Sequence, residues 1–348
     1  MISMVIHRYV KFLFFSVFLF FCVSCGKSEK RGQEDPQPKR SEAYAVMENL
    51  WRTSPADADL TSRKALFSTI QGYADALSST TFKSFLTAAG WLAESLVKSE
   101  DILCCYDAAF TRVLEGVKNE KPSRGESYIY LLYNMGYVVK TPSGCFGVDI
   151  FHRRAAELEP YLDFICITHV HQDHKTESLI DAMVSAGKPV VQNFLETPGY
   201  AYTSTIAKDY VIGGFKIHSF ITNHNNDAKK NVPVTVFQID CCEDSGGLTL
   251  MHSGDSNYIA TQYDVTSGID VFIPRYAPNE LAENNVIGKV FTPEYVLLSH
   301  ILELSHADPD VSRWTLLQGL ERAALLDCEK TYMPFWGEKL VWKDGALK

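Results

Sequence analysis

Positive charge is scarce in this chain. Its 33 Lys and Arg stand against 42 Asp and Glu, for a formal net charge of −9. A broad phosphate-binding surface needs the opposite balance, so no nucleic-acid partner is expected. Several common catalytic signatures are missing as well. There is no Gly-x-Ser-x-Gly elbow, no Gly-x-x-x-x-Gly-Lys phosphate loop and no Gly-x-Gly-x-x-Gly fingerprint. Serine-nucleophile, nucleotide and dinucleotide chemistry therefore lack a footing. Past residue 25 the cysteines form neither a Cys-x-x-Cys pair nor a Cys/His finger spacing, which removes the thiolate zinc sites. No internal repeat occurs. Long apolar runs are absent with one exception, Phe12 to Val23.

That exception lies at the N-terminus, after His7, Arg8 and Lys11, and ends in Ser24-Cys25-Gly26. It is short for a bilayer span, and its small-residue end fits a secretory signal. Cysteine after a small residue resembles the lipobox of bacterial lipoproteins, although Cys22 stands where that pattern usually has Leu. Residues 1–25 are thus expected to be a lipoprotein signal peptide ending in a lipidated Cys25. Such a cysteine would anchor the protein to a membrane of the bacterial cell envelope, periplasmic or surface-exposed, without a spanning helix. Plain secretion is the alternative. Residues 26–41, GKSEKRGQEDPQPKRS, read as a flexible linker. Of nine cysteines, seven remain after the signal, an odd number, so at least one thiol has no intrachain partner. Cys166 sits in an apolar run and reads as a small buried hydrophobe.

Residues 42–124 carry helical periodicity. Ala43, Val46, Met47, Leu50 and Trp51 make one stripe, with Ser41 a candidate N-cap; Leu66, Ile70, Tyr73 and Leu77 make a second. Phe82 through Leu96 predicts a third helix and Ile102 through Val117 a fourth. From about 125 the period changes. Strands are expected over 128–133, 137–141 and 145–150, with Asn134-Met135-Gly136 as a hairpin turn. Further strands are expected at 190–191, 215–222, 234–240, 248–252, 271–273, 295–299 and 331–336. Helices are expected over 177–186 and after Asp308-Pro309, the latter carrying Trp314, Leu317 and Leu320. The domain reading is a helical segment over 42–124 and an α/β domain over 125–348.

The chemistry concentrates in Thr168-His169-Val170-His171-Gln172-Asp173-His174, directly after the apolar Phe164-Ile165-Cys166-Ile167. On extended backbone His169 and His171 share a face, and a turn after them can bring Asp173 and His174 to the same point. Imidazoles with a carboxylate and no thiolate suit a catalytic zinc or a similar borderline metal. Single ligand-type residues then recur just past short strands: His224, Asp255 within Gly254-Asp255-Ser256, and His300, with His306 as a rival to His300. His152, His218 and His252 read as structural or surface histidines. Arg275 and Tyr276 either contact an anionic group or lie in a surface loop.

The pattern His-x-His-x-Asp-His resembles the signature of the metallo-β-lactamase-fold hydrolases, over roughly residues 125–345. The resemblance implies an α/β four-layer αββα sandwich, here preceded by the helical segment. It also implies two divalent metal ions, zinc first and manganese or iron otherwise. His169, His171 and His224 would hold one ion and Asp173, His174 and His300 the other, with Asp255 bridging. Asp149 would orient the metal loop without ligating. Asp rather than Cys at 255 points away from one major β-lactamase subclass. The short spacing and Gly-Asp-Ser look most like the lactonase and N-acyl-phosphatidylethanolamine phospholipase-like branch. The implied activity is metal-dependent hydrolysis of an ester, lactone or phosphodiester-type small-molecule or lipid substrate, with Asp173 orienting the nucleophile. An iron-dependent redox enzyme of the same fold and a non-catalytic envelope binding protein are the alternatives.

Overall fold

Hydrophobic patterning changes period near residue 125, and the structure changes with it. The computed structural model describes residues 38–195, 200–224, 231–276, 286–306 and 313–348, with side chains from residue 42. The signal segment, Cys25, most of the linker and Asp308-Pro309 lie outside these residues. Five helices come first: α1 (Pro38–Leu50), α2 (Thr61–Ala76), α3 (Ser79–Thr87), α4 (Gly90–Ser99) and α5 (Asp101–Asn119). Two expectations need correction. Helix α1 starts at Pro38, inside the supposed linker, so Ser41 is helical and not a cap; proline in a first turn costs no hydrogen bond. The single third helix is two. Ala88 and Ala89 are both extended (ψ 146° and 152°), which turns the chain before Gly90. Apolar spacing runs through this corner unbroken because both pieces bury residues on the same core.

The strands are β1 (Glu126–Tyr133), β2 (Gly136–Lys140), β3 (Cys145–Val148), β4 (Phe164–Cys166), β5 (Val190–Val191), β6 (Lys208–Ile212) and β7 (Phe215–Asn223). They continue as β8 (Pro233–Asp240), β9 (Thr249–His252), β10 (Val271–Ile273), β11 (Tyr295–Leu297), β12 (Thr331–Tyr332), β13 (Lys339–Lys343) and β14 (Ala346–Leu347). Helices α6 (Glu177–Ser185) and α7 (Leu316–Ala323) follow among the described residues. Helix α7 is capped by Thr315 in a reciprocal capping box with Gln318. Trp314 therefore precedes the helix instead of lying on it. The expected last strand shrinks to Thr331–Tyr332, an edge strand, and Pro334 falls beyond it. Strands β6, β13 and β14 were not expected.

One sheet has the order β14-β13-β1-β2-β3-β4-β5 and the other β12-β11-β10-β9-β8-β7-β6. Their inner faces pack on each other through residues such as Ile129, Leu131, Phe146, Phe164, Phe215, Ile239 and Leu250. Alternation then puts Tyr130 and Leu132 on the opposite face of β1, in the core shared with the helices. Helix α5 comes so close there that a Cβ on Gly116 would lie 2.9 Å from the Tyr130 ring. This is the α/β sandwich with outer helices expected from the sequence. Cys105, Cys145, Cys166, Cys241 and Cys242 are buried thiols. Among the described residues no helix is long and apolar enough to cross a membrane.

Two buried polar groups tie the helices to the sheets. Arg63 of α2 is bidentate on Glu338, at 2.5 Å for each contact, and donates to the Met333 carbonyl. His152 is stacked between Tyr106 (4.3 Å) and Phe110 (4.0 Å) of α5. Its Nδ1 accepts from Arg154 N, so its proton sits on Nε2. Burial, then the nearby Arg154 and Arg153, push its pKa well below the usual imidazole value. The folded state therefore resists a proton that the unfolded state takes up below about pH 6.5. Stability carried by neutral His152 is complete above that pH and is lost as pH falls towards the folded-state pKa. The expected loss is up to about 1.4 kcal/mol per pH unit. His152→Phe, which keeps the stack, should flatten the fall in melting temperature between about pH 6.5 and 5. Identical slopes for the two proteins would refute this.

Candidate metal centre

Strand polarity brings the candidate ligands together. In the second sheet β7, β9, β10 and β11 all run the same way, because β8 is antiparallel to both of its neighbours and β9, β10 and β11 are parallel. Residues just past their ends, His224, Asp255 and His300, therefore meet at one edge. In the first sheet β3 and β4 are parallel, so Asp149 and His169 share an edge too.

Ligand atoms of His169, His171, His224 and Asp255 lie within 4.8 Å of one another, and so do those of Asp173, His174 and His300. Asp255 stands between the two groups. Its Oδ2 is 3.2 Å from His224 Nε2 and 3.5 Å from His300 Nε2, and its Oδ1 is 3.4 Å from His174 Nε2. Asp173 Oδ2 is 3.3 Å from both His174 Nε2 and His300 Nε2. His306 is in neither group. Its ring is 6.2 Å from that of His300, and its Nδ1 faces the buried Glu303 at 3.5 Å.

Neighbouring groups fix which nitrogen faces inward. Asp149 accepts from Thr168 N (2.8 Å) through Oδ1, and from Thr168 Oγ1 (2.7 Å) and His174 Nδ1 (2.8 Å) through Oδ2. In the neutral ring that a metal requires, Nε2 of His174 is then the lone pair. The Thr168 hydroxyl hydrogen is committed to Asp149, so His169 Nδ1 donates to Thr168 Oγ1 at 3.0 Å and its Nε2 is a lone pair as well. A Cβ on Gly254, whose φ is +47°, would collide with Thr168, so only glycine lets the loop of Asp255 close on that of His169. His252, read as structural, accepts from Gly254 N (3.2 Å) and donates to Met135 O (2.9 Å), which fixes the start of the Asp255 loop.

His169 Nε2, His174 Nε2, His300 Nε2 and Asp255 Oδ1 are all buried without a hydrogen-bond partner among the described residues. Each such group costs about 1–3 kcal/mol, and their convergence is what a cation would relieve. Electrostatics fit the same occupant. Burial and then His174 hold His169 well below the usual imidazole pKa, so it is neutral, as a ligand must be. Burial pushes the Asp255 and Asp173 carboxyls up, but the surrounding imidazoles outweigh it and hold both well below the usual range. Burial likewise pulls His174 and His300 down, and the carboxylates Asp173 and Asp255 outweigh it. Without metal, protons on those imidazoles balance the carboxylates. The donor set of nitrogen and oxygen without sulfur suits zinc, manganese or iron.

One participant was not singled out from the sequence. Asn134, in the β1–β2 hairpin with φ +54°, donates from Nδ2 to Asp173 Oδ2 at 3.0 Å, and its carbonyl accepts from His300 N. Its only local signal was that of a turn. Arg275 is not a surface loop residue: its Nη1 lies 3.9 Å from Asp255 Oδ2. Tyr276 is buried, edge-on to Trp314 at 4.9 Å. His218 bridges Asp209 and the Asp264 carbonyl, as a structural histidine. Non-glycine residues with positive φ, Asn134, Asp149 and His300, cluster at this edge; strain of this kind gathers where geometry is over-determined.

The profile of the beta-lactamase superfamily domain matches residues 134–277, from the Asn134 turn to just past Arg275. No curated protein matches the chain. Among solved structures, the chain is similar to Igni18, a metallo hydrolase from the archaeon Ignicoccus hospitalis. That likeness has 18% identity over 63% of this chain and 99% of the other, at a TM-score of 0.42. A putative metal-dependent hydrolase from Parabacteroides distasonis has 13% identity over 59% and 91%, at 0.37. CmlA, a diiron β-hydroxylase from Streptomyces venezuelae, has 11% identity over 75% and 62%, at 0.43. The matched domain and the two facing seven-stranded sheets give the fold as the metallo-β-lactamase type.

Proposed function

We propose that the protein is a metal-dependent hydrolase that holds two divalent cations on the seven residues above and cleaves an ester, lactone or phosphodiester-type bond. The observation that carries the proposal is the Asp255 carboxylate, set between the two groups of ligand atoms, with the Nε2 atoms of His169, His174 and His300 buried and unpartnered among the described residues. A cation pair held there would supply Lewis acidity and lower the pKa of bound water. The chain's own residues do the rest. Asp149 and Thr168 set the tautomers of His174 and His169. Asn134 fixes one oxygen of Asp173, and the other is left to orient the attacking water and take its proton. Arg275 places a guanidinium beside the Asp255 carboxylate, where it can meet charge developing on the electrophile.

Metal content and turnover on a panel of lactone, thioester and phosphodiester substrates test this reading. Zinc- or manganese-loaded protein should turn over at least one class, and Asp173→Asn should lower kcat by about 10²–10⁴-fold. Iron with oxygen uptake would replace the reading with a redox one. Wild type and Asp173→Asn behaving alike in every assay would leave a binding protein.

A further inference from the structure

The helical segment supplies none of the candidate ligands, yet it walls a cavity beside the loop that carries four of them. The cavity has a volume of about 390 Å³, within the range of small-molecule sites. Leu86 and Thr87 of α3 form one wall, Phe151 another, and Val170 a third. Val170 is 45% exposed although it lies between His169 and His171, so the apolar opening is continuous with the loop that carries the ligands. Arg153 and Lys175 also line the cavity; Lys175 is paired with Glu177, which leaves Arg153 as the surplus charge. Arg153 holds the α3–α4 corner in place by donating to the Ala88 carbonyl at 2.8 Å. Immediately past that corner, Trp91 (75% exposed) and Leu92 stand in solvent on the first turn of α4.

We propose that this cavity seats the hydrocarbon arm of an anionic amphiphile, whose head is held at the rim by Arg153, beside the metal loop. The apolar walls take the chain, the surplus positive charge selects the head, and exposed apolar side chains beside the entrance lower the cost of drawing the chain out of an aggregate. The inference rests on the hydrolase reading only for what becomes of the head; occupancy of the cavity does not depend on it.

The test is binding of decanoate to the protein as purified and again after chelation, followed by tryptophan fluorescence and calorimetry. Thr87→Trp and Val170→Trp fill the cavity from side chains that are exposed, so the fold is kept. Both are expected to weaken decanoate about tenfold or more, with unchanged circular dichroism and metal content. Wild type should bind decanoate more tightly than decyltrimethylammonium, and should still bind it after chelation. Absence of decanoate binding at millimolar concentration, binding by both blocked variants equal to that of wild type, or equal affinity for the cationic amphiphile would overturn the inference. So would binding that vanishes on chelation and ignores both tryptophans, because the metals alone would then hold the probe. Hydrolysis failing on every substrate while decanoate binds through the cavity would sink the hydrolase reading alone.

Discussion

Asp255→Ala is expected to strip the protein of its metal pair. The carboxylate lies within 3.5 Å of His174, His224 and His300, so it is the one group both halves of the centre share. Its loss should exceed the cost of losing a partner that only orients a ligand. For Asp149→Ala, which removes the acceptor for His174 Nδ1 and the Thr168 hydroxyl, that cost is about 10–100-fold in metal affinity. Competition titration against a chelator measures both variants. An Asp255→Ala protein that keeps two ions at wild-type affinity would contradict the assignment. Binding should also release protons, since His174 and His300 hold theirs against the carboxylates when metal is absent. Affinity should accordingly rise with pH.

Arg63→Met should be strongly destabilising although it lies outside the centre. The guanidinium and Glu338 are both buried, and Glu338 also accepts from Phe335 N at 2.6 Å. Removing one partner of such a pair leaves a buried charge uncompensated, at a cost of about 3–5 kcal/mol. Replacing both, as Arg63→Met with Glu338→Leu, should recover a good part of it, because no charge is then stranded. Urea unfolding of the three proteins decides. A loss under about 1 kcal/mol for Arg63→Met would mean that water reaches the pair and screens it.

How much of this could be read from the sequence depended on how local each signal was. The 169–174 cluster is contiguous and comes after an apolar strand, so residue type and spacing sufficed. His224, Asp255 and His300 could be picked out because each lies just past a strand whose β-pattern is strong. His300 and His306 could not be separated on that basis; strand β11 ends at Leu297, and a positive φ at His300 turns its ring inward while His306 faces Glu303. Asn134 was legible as a turn residue only, since its contact with Asp173 spans 39 positions. Strand β6 begins with exposed Lys208 and Asp209 at a sheet edge, which hides its alternation. Strands β13 and β14 are short and pair with a strand or with each other in ways no local pattern reports.

The pairing of β13 with β1, Glu126 opposite Lys343, has a consequence for biogenesis. The first strand of the sandwich acquires its outer neighbour only when residues 339–343 have been made. All the candidate ligands precede Arg313 in the chain, yet the sheet beneath half of them is finished by the C-terminal strands β13 and β14. A chain cut before residue 339 would therefore have every ligand and no completed scaffold, with β1 left as an open edge for another chain to occupy. Closure of the first sheet therefore depends on residues 339–347, which follow every candidate ligand in the chain.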